Sequence, residues 1–126
     1  MADITNRDEV VRLVDAFYAK VRVDALLAPK FTHLDWHNHV PIMYNYWSDL
    51  LLGGTSYEGS PFQRHMLLGL NEKHFQRWHE IFEETVDELF EGTKATEAKE
   101  RLRSVAGVFQ HRLGILNLPG DALKSL

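Results

Sequence analysis

The sequence predicts an all-α fold arranged as one domain over residues 1–126. Three observations carry that reading. Apolar residues recur at spacings of three and four almost throughout, helix-starting and helix-stopping residues stand at the ends of those runs, and no segment alternates as a strand would. A chain of this length buries about two thirds of its unfolded surface, so one hydrophobic core suffices without disulfide or metal staples.

Val10, Val14, Phe17 and Val21 form the inner stripe of a first long helix, with Val11 and Tyr18 beside it and Thr5 or Asn6 as its cap. Asp24 to Ala28 reads as a short helical turn stopped by Pro29, because proline disfavours helical geometry in the residue before it. Asp35 can cap a second long helix whose face carries Trp36, His39, Met43, Tyr46 or Trp47, and Leu50, and which Gly53-Gly54 ends. Pro41 lies one turn in, where it either tightens the start or kinks the helix. A loop from Gly54 to Gly59 and a short helix near Pro61 to Met66 follow. Asn71 then caps a third long helix with Phe75, Trp78, Phe82, Thr85 and Leu89 on one side, ending near Gly92. Thr93 or Thr96 opens the last helix, with Ala98, Leu102, Val105, Phe109 and Leu113 facing inward.

Composition excludes several functions. Hydrophobic residues at 44% and charged residues at 25% are ordinary for a globular domain and argue against disorder. A formal net charge of −4, with no Lys and Arg cluster along one helix, gives no field for a phosphate backbone, so nucleic acid is not an expected partner. The absence of cysteine rules out disulfides, thiolate metal sites and thiol nucleophiles, and a reducing cytoplasm is the expected compartment. Met1 to Thr5 lacks a basic and apolar leader, and no run of about 18 apolar residues occurs, so neither export nor a membrane partner is expected.

The seven histidines divide by their neighbours. His33, His37, His79 and His111 read as surface residues, and His74 as a structural residue in the first turn of the third helix. His39 shares a face with Trp36 and Met43 and so points inward, either satisfied by a backbone carbonyl or functional. His65 follows a loop interrupted by Gly59 and Pro61, stands among Phe62, Met66, Leu67 and Leu68, and has no carboxylate nearby in sequence. On those residues alone it reads equally as a core histidine or a metal ligand. His79 and Glu83, four apart, are spaced like one arm of a di-iron helical bundle, but such a cage needs several converging pairs, and Glu80 beside His79 marks the wet side of the helix.

Four motifs in order carry a family resemblance: Phe17-Tyr18-Ala19-Lys20-Val21-Arg22, then Trp36 through Trp47 with His39, Pro41 and Met43, then Tyr57 to His65, then His74-Phe75 followed by Trp78. Together, across roughly residues 8 to 110, this set resembles the truncated haemoglobins, and within them the third group. The resemblance implies a truncated globin fold, a two-over-two helical sandwich around haem. It also implies that the protein reversibly binds oxygen, nitric oxide or carbon monoxide at a histidine-ligated iron.

Carried onto this chain, the resemblance makes His65 the iron ligand, Tyr18 and Trp78 donors toward the gas, and His39 the residue at the distal entrance. It places Met43 over the porphyrin and Phe75 in the cofactor pocket; Tyr57, a phenol on the approach loop, and Arg64, next to the ligand, are then the candidates for the propionates, with Arg64 reading equally as an ordinary solvated side chain. Tyrosine and tryptophan carry polar tips that a plain core avoids, because each then needs a partner when buried. The cofactor implied is haem b, held without covalent attachment because no Cys-x-x-Cys-His motif exists in a chain without cysteine. The partners implied are a diatomic gas and a reductase. Three other readings stay open: a haem enzyme for nitric oxide dioxygenation or peroxide reduction, a cofactor-free helical interaction module, and a di-iron helical protein.

Overall fold

The computed structural model describes residues 1–32, 36–54 and 71–112. Among them lie α1 (Arg7–Val21), α2 (Trp36–Leu52), α3 (Glu72–Leu89) and α4 (Thr93–Arg112), with a 3-10 turn at Ala28–Phe31 and no strand. No helix among the described residues is long and apolar enough to cross a membrane. Helix α1 packs on α2 and α3, α3 packs on α4, and α2 touches α4.

Asn6 rather than Thr5 starts α1, its side chain accepting from the Glu9 N–H at 3.0 Å. Glu9 reaches back to the Thr5 N–H and hydroxyl at 2.9 and 2.6 Å, so Thr5 supports the start from outside. The buried face is Val10, Leu13, Val14, Phe17, Tyr18 and Val21. Leu13 joins the two stripes the spacing indicates, while Val11 lies at their edge, only half-buried.

Pro29 does not stop a turn of helix. The Asp24 carboxylate accepts from the Leu26 and Leu27 N–H groups, both at 3.1 Å, and Pro29 stands in the first turn of the 3-10 segment that follows. Proline suits that place because a first-turn residue has no intrahelical use for its N–H.

Helix α2 continues through Pro41 and buries His39, Met43, Trp47 and Leu51. This line advances by fours, about 40° round the axis per step, so it leaves the expected Leu50 and Trp36 half-buried and selects Trp47 over Tyr46. Gly53, at φ 81°, ends the helix with its N–H on the Asp49 carbonyl at 3.1 Å, in the left-handed geometry glycine adopts without steric cost.

Asn71 caps α3 as expected, accepting from the Lys73 and His74 N–H groups at 3.0 and 3.3 Å. The buried face of α3 is broad: His74, Phe75, Trp78, Ile81, Phe82, Thr85 and Val86, with Leu89 half-buried. Thr85 satisfies its buried hydroxyl on the Ile81 carbonyl at 2.7 Å. Phe82 stacks on Trp47 at 4.9 Å and meets Phe17 edge-on at 5.1 Å, tying α3 to both α2 and α1.

Helix α4 begins at Thr93, but neither Thr93 nor Thr96 caps it. The Asp3 carboxylate does, accepting from the Lys94 and Ala95 N–H groups at 2.9 and 2.8 Å. Gly92, at φ 140°, leaves room for this approach, since a Cβ there would stand 2.6 Å from Asp3 Cγ. Ala95, Ala98 and Leu102 then face the core. The side chains at 105 and 109, and all of Leu113, lie outside the described residues, as does Asp35.

Partial burial pushes the Asp3 carboxyl upward, but the Lys94, Ala95 and Ile4 N–H groups outweigh it and hold the pKa below the ordinary value. Because the folded value is lowered, the stabilisation is complete above about pH 4 and is lost as pH falls through the folded value. Asp3→Ala is expected to cost about 0.5–2 kcal/mol at neutral pH, a fall in Tm of a few degrees, and to flatten the acid limb of stability in urea unfolding. An unchanged acid limb would refute the cap.

Candidate functional site

Residue types set the chemistry before geometry does. A buried phenol and a buried imidazole each need a polar partner, and a lone pair of helices can supply one only where the two face each other. Tyr18 on α1 and His39 on α2 do so. Tyr18 Oη lies 3.2 Å from His39 Nε2, with the two residues 4% and 3% exposed. Burial, then the nearby Tyr46, pushes the Tyr18 pKa far above its ordinary value, so the hydroxyl keeps its proton across the physiological range. A protonated phenol both donates and accepts one bond, which lets the pair satisfy each other or re-aim one donor at a third group.

Met43 on α2 and Phe75 and Trp78 on α3 are buried in the same core. Phe17 touches both sides of the cluster, its ring 5.0 Å from Tyr18 and 6.4 Å from Trp78, and Phe75 lies 6.1 Å from Trp78. Five of the residues singled out in the sequence, Tyr18, His39, Met43, Phe75 and Trp78, therefore share one apolar interior, and two of them are in direct polar contact. Tyr57, Arg64 and His65 lie outside the described residues.

Trp36 is the neighbour that the sequence placed on the face without a role. Its ring meets Tyr18 edge-on at 5.2 Å and His39 at 6.1 Å. The signal was present, since Trp36 stands three residues before His39 and so on the same side of α2.

The remaining described histidines take structural or surface places. His74 Nδ1 accepts from the Asn71 N–H at 3.0 Å, completing a capping box in which histidine takes the position usual for Glu or Gln. His37 is exposed. Glu83 takes Arg103 at 2.8 Å and His79 at 3.0 Å, which makes the His79 and Glu83 pair part of the seam between α3 and α4. No group of three or more potential metal ligands occurs among the described residues. His33 and the side chain of His111 lie outside them.

The bacterial-like globin family model matches residues 3–111. A group 3 truncated hemoglobin of Campylobacter jejuni is 29% identical over 115 residues, covering 86% of this chain and 91% of that protein. The crystal structure of a group III truncated hemoglobin from Campylobacter jejuni matches with a TM-score of 0.79 at 26% identity, covering 95% of this chain and 99% of that one.

Burial, then the positive charge of Lys30, lowers the His74 pKa. Its neutral form is the one that can accept from Asn71, so the capping box stabilises fully above about pH 6.5 and weakens as pH falls through the lowered folded value. His74→Gln keeps an acceptor at that position and does not titrate. Urea unfolding at pH 8 and pH 5 is expected to show a smaller acid loss in His74→Gln than in the parent, and equal losses would place the sensitivity elsewhere.

Proposed function

The chain belongs to the bacterial-like globin family, with an all-α globin fold, and from that premise we propose that it is a haem protein that reversibly binds diatomic gases. The ligands proposed are oxygen, nitric oxide and carbon monoxide, at an iron held by His65 in non-covalently bound haem b. The single observation that carries this reading is the buried Tyr18 and His39 pair at 3.2 Å. An apolar interior that served only for packing would be expected to avoid both groups, because phenylalanine and leucine fill the same space without needing partners.

The described residues suit the ligand side of such a cofactor. Met43 and Phe75 offer sulfur and aromatic walls, and Tyr18, His39 and Trp78 offer donors within the same interior. Haem would supply the iron and four of its nitrogens and would need one imidazole from the protein. His65 is the residue proposed for it, with Tyr57 and Arg64 proposed for the propionates. Tyr18 keeps its proton and so would be able to donate toward the negative end of a polarised gas, with His39 holding the phenol in place. The nearness of an imidazole to that phenol also supports a second reading, oxidation of nitric oxide or reduction of peroxide, because hydrogen-bond donors at that place would polarise a bound oxygen–oxygen bond. Either reading calls for an electron source such as a reductase. A reducing, cytoplasmic setting agrees with the lack of cysteine.

Absorption spectra of the purified protein in ferric, ferrous and carbon monoxide forms test the proposal, and acid-acetone extraction is expected to remove the pigment completely. His65→Ala is expected to lose haem, while His74→Ala retains it. Equal loss in both variants would mean that another residue is the ligand. Protein purified and reconstituted without any Soret band would end the haem reading.

Tyr18→Phe and Trp78→Phe are each expected to speed oxygen release, by about ten-fold for every 1.4 kcal/mol of hydrogen bonding lost. Carbon monoxide is less polar when bound, so its release should change less. Because both donors would serve the same atom, the double variant is expected to depart from the product of the single ones. Equal effects on both gases in stopped-flow measurements would reduce these residues to pocket shape.

A further inference from the structure

At 3.2 Å the bond between Tyr18 and His39 is long, so its persistence depends on what keeps the two rings from swinging apart. The phenol oxygen lies on the axis of its ring. A flip about the Cβ–Cγ bond leaves it in place, and only a swing of the whole ring moves it. On the α1 side the Phe17 ring lies 5.0 Å from Tyr18. From α2 two rings meet the phenol edge-on, Trp36 at 5.2 Å and His39 at 5.4 Å, and those two meet each other edge-on at 6.1 Å. Tyr18, Trp36 and His39 form a closed triangle, in which Tyr18 cannot swing without giving up a contact to one of the other two.

Three elements fix the Trp36 corner of that triangle. It belongs to the first turn of α2, the Phe31 ring of the 3-10 turn stacks on it at 5.9 Å, and the Arg22 guanidinium at the end of α1 lies 4.3 Å from its ring centroid. Its share in the core is smaller than that of the other two tryptophans. Trp47 and Trp78 are buried, whereas Trp36 is half-buried. A half-buried indole in contact with both members of a buried polar pair does more for their placement than for core volume.

We propose that Trp36 is a positioning residue of the site, which sets the direction of the Tyr18 hydroxyl by holding Tyr18 and His39 within reach of each other. Its action on a bound gas runs only through Tyr18. That action rests on the haem reading, but the hold on the pair does not. Direction matters because a hydrogen bond weakens steeply once the angle at its proton falls below about 120°. A tilted phenol then loses its grip on a polar ligand first.

The test uses full-length protein as purified, in the diamagnetic carbon monoxide form where haem is present. The first readout needs no haem: the His39 ring nitrogens are followed by nitrogen-15 NMR, assigned through His39→Gln, and Tyr18→Phe marks the shift of an imidazole that has lost the phenol. Trp36→Leu is expected to move the His39 Nε2 signal toward that mark. Trp36→Phe, which keeps a smaller ring, is expected to move it less in the same direction, and it carries the comparison if the leucine variant does not fold. The second readout is the stretching frequency of bound carbon monoxide, which falls when a donor points at its oxygen. Trp36→Leu is expected to raise it toward the Tyr18→Phe value and to speed oxygen release by about three-fold or more, with carbon monoxide release changed less. Added to Tyr18→Phe, the same substitution is expected to change neither the frequency nor oxygen release, although a general loosening of the fold would still change both. A His39 signal that stays at the parent position in the Trp36 variants overturns the proposal, and so does an effect on oxygen release that persists in full in the Tyr18→Phe background. Protein without a Soret band ends the haem reading alone, and the His39 signal then decides the role of Trp36.

Discussion

A phenol and an imidazole buried at the crossing of α1 and α2 constrain how the two helices can meet. Each group costs on the order of 2–7 kcal/mol to remove from water without a compensating bond, so the helices must approach where Tyr18 Oη and His39 Nε2 come within reach. The apolar residues on either side accept this geometry. Phe17, one residue before Tyr18, points to Phe82 and Trp78, and Met43, one turn after His39, enters the same core. Packing thus holds the pair from both sides, and the pair in turn fixes the relative rotation of the helices, because turning either one separates the two polar atoms.

The second constraint lies at the helix ends. Helix α3 caps itself through Asn71 and His74, whereas α4 borrows the Asp3 carboxylate from the far end of the chain. That borrowing pins the N-terminal segment across the corner between α3 and α4, where the Ala2 carbonyl also accepts from the Glu91 N–H at 3.0 Å. Ile4, the residue after the cap, is then buried. A local orphan at one helix start therefore orders a segment some ninety residues away in sequence, and surface ion pairs such as Lys20 with Glu88 add little beside it.

What the sequence made legible was local or periodic. The α1 stripe, the Asn6 and Asn71 caps and the inward placement of Tyr18, His39 and Trp78 follow from spacing and from short-range hydrogen-bonding rules. Leu51 and Val86 were missed because a buried face is wider than a single stripe and drifts round the helix when residues recur by fours. Pro29 suggests a terminator from the restriction it puts on the residue before it, but proline is equally favoured in a first turn, and that preference prevails here. Asp3 could not be found from neighbours in sequence at all, since its partners are Lys94 and Ala95. For the site, the sequence shows that Tyr18 and His39 point inward but not that they touch, which depends on the helix crossing. His65, Tyr57 and Arg64 rest on the family resemblance, since on its own residues His65 reads equally as core or ligand.

Trp36 joins the interior to the surface. Tyr18 and Arg22 stand four residues apart on one face of α1, the first buried and the second exposed, and the Trp36 ring contacts both, at 5.2 Å and 4.3 Å. An indole held between a cation and a phenol cannot shift toward one without loosening from the other. The exposed cation and the inner polar pair therefore share one aromatic neighbour. At 3.2 Å the Tyr18 and His39 contact lies at the long end of hydrogen-bond geometry, and the Trp36 ring packed against both residues helps hold them within reach.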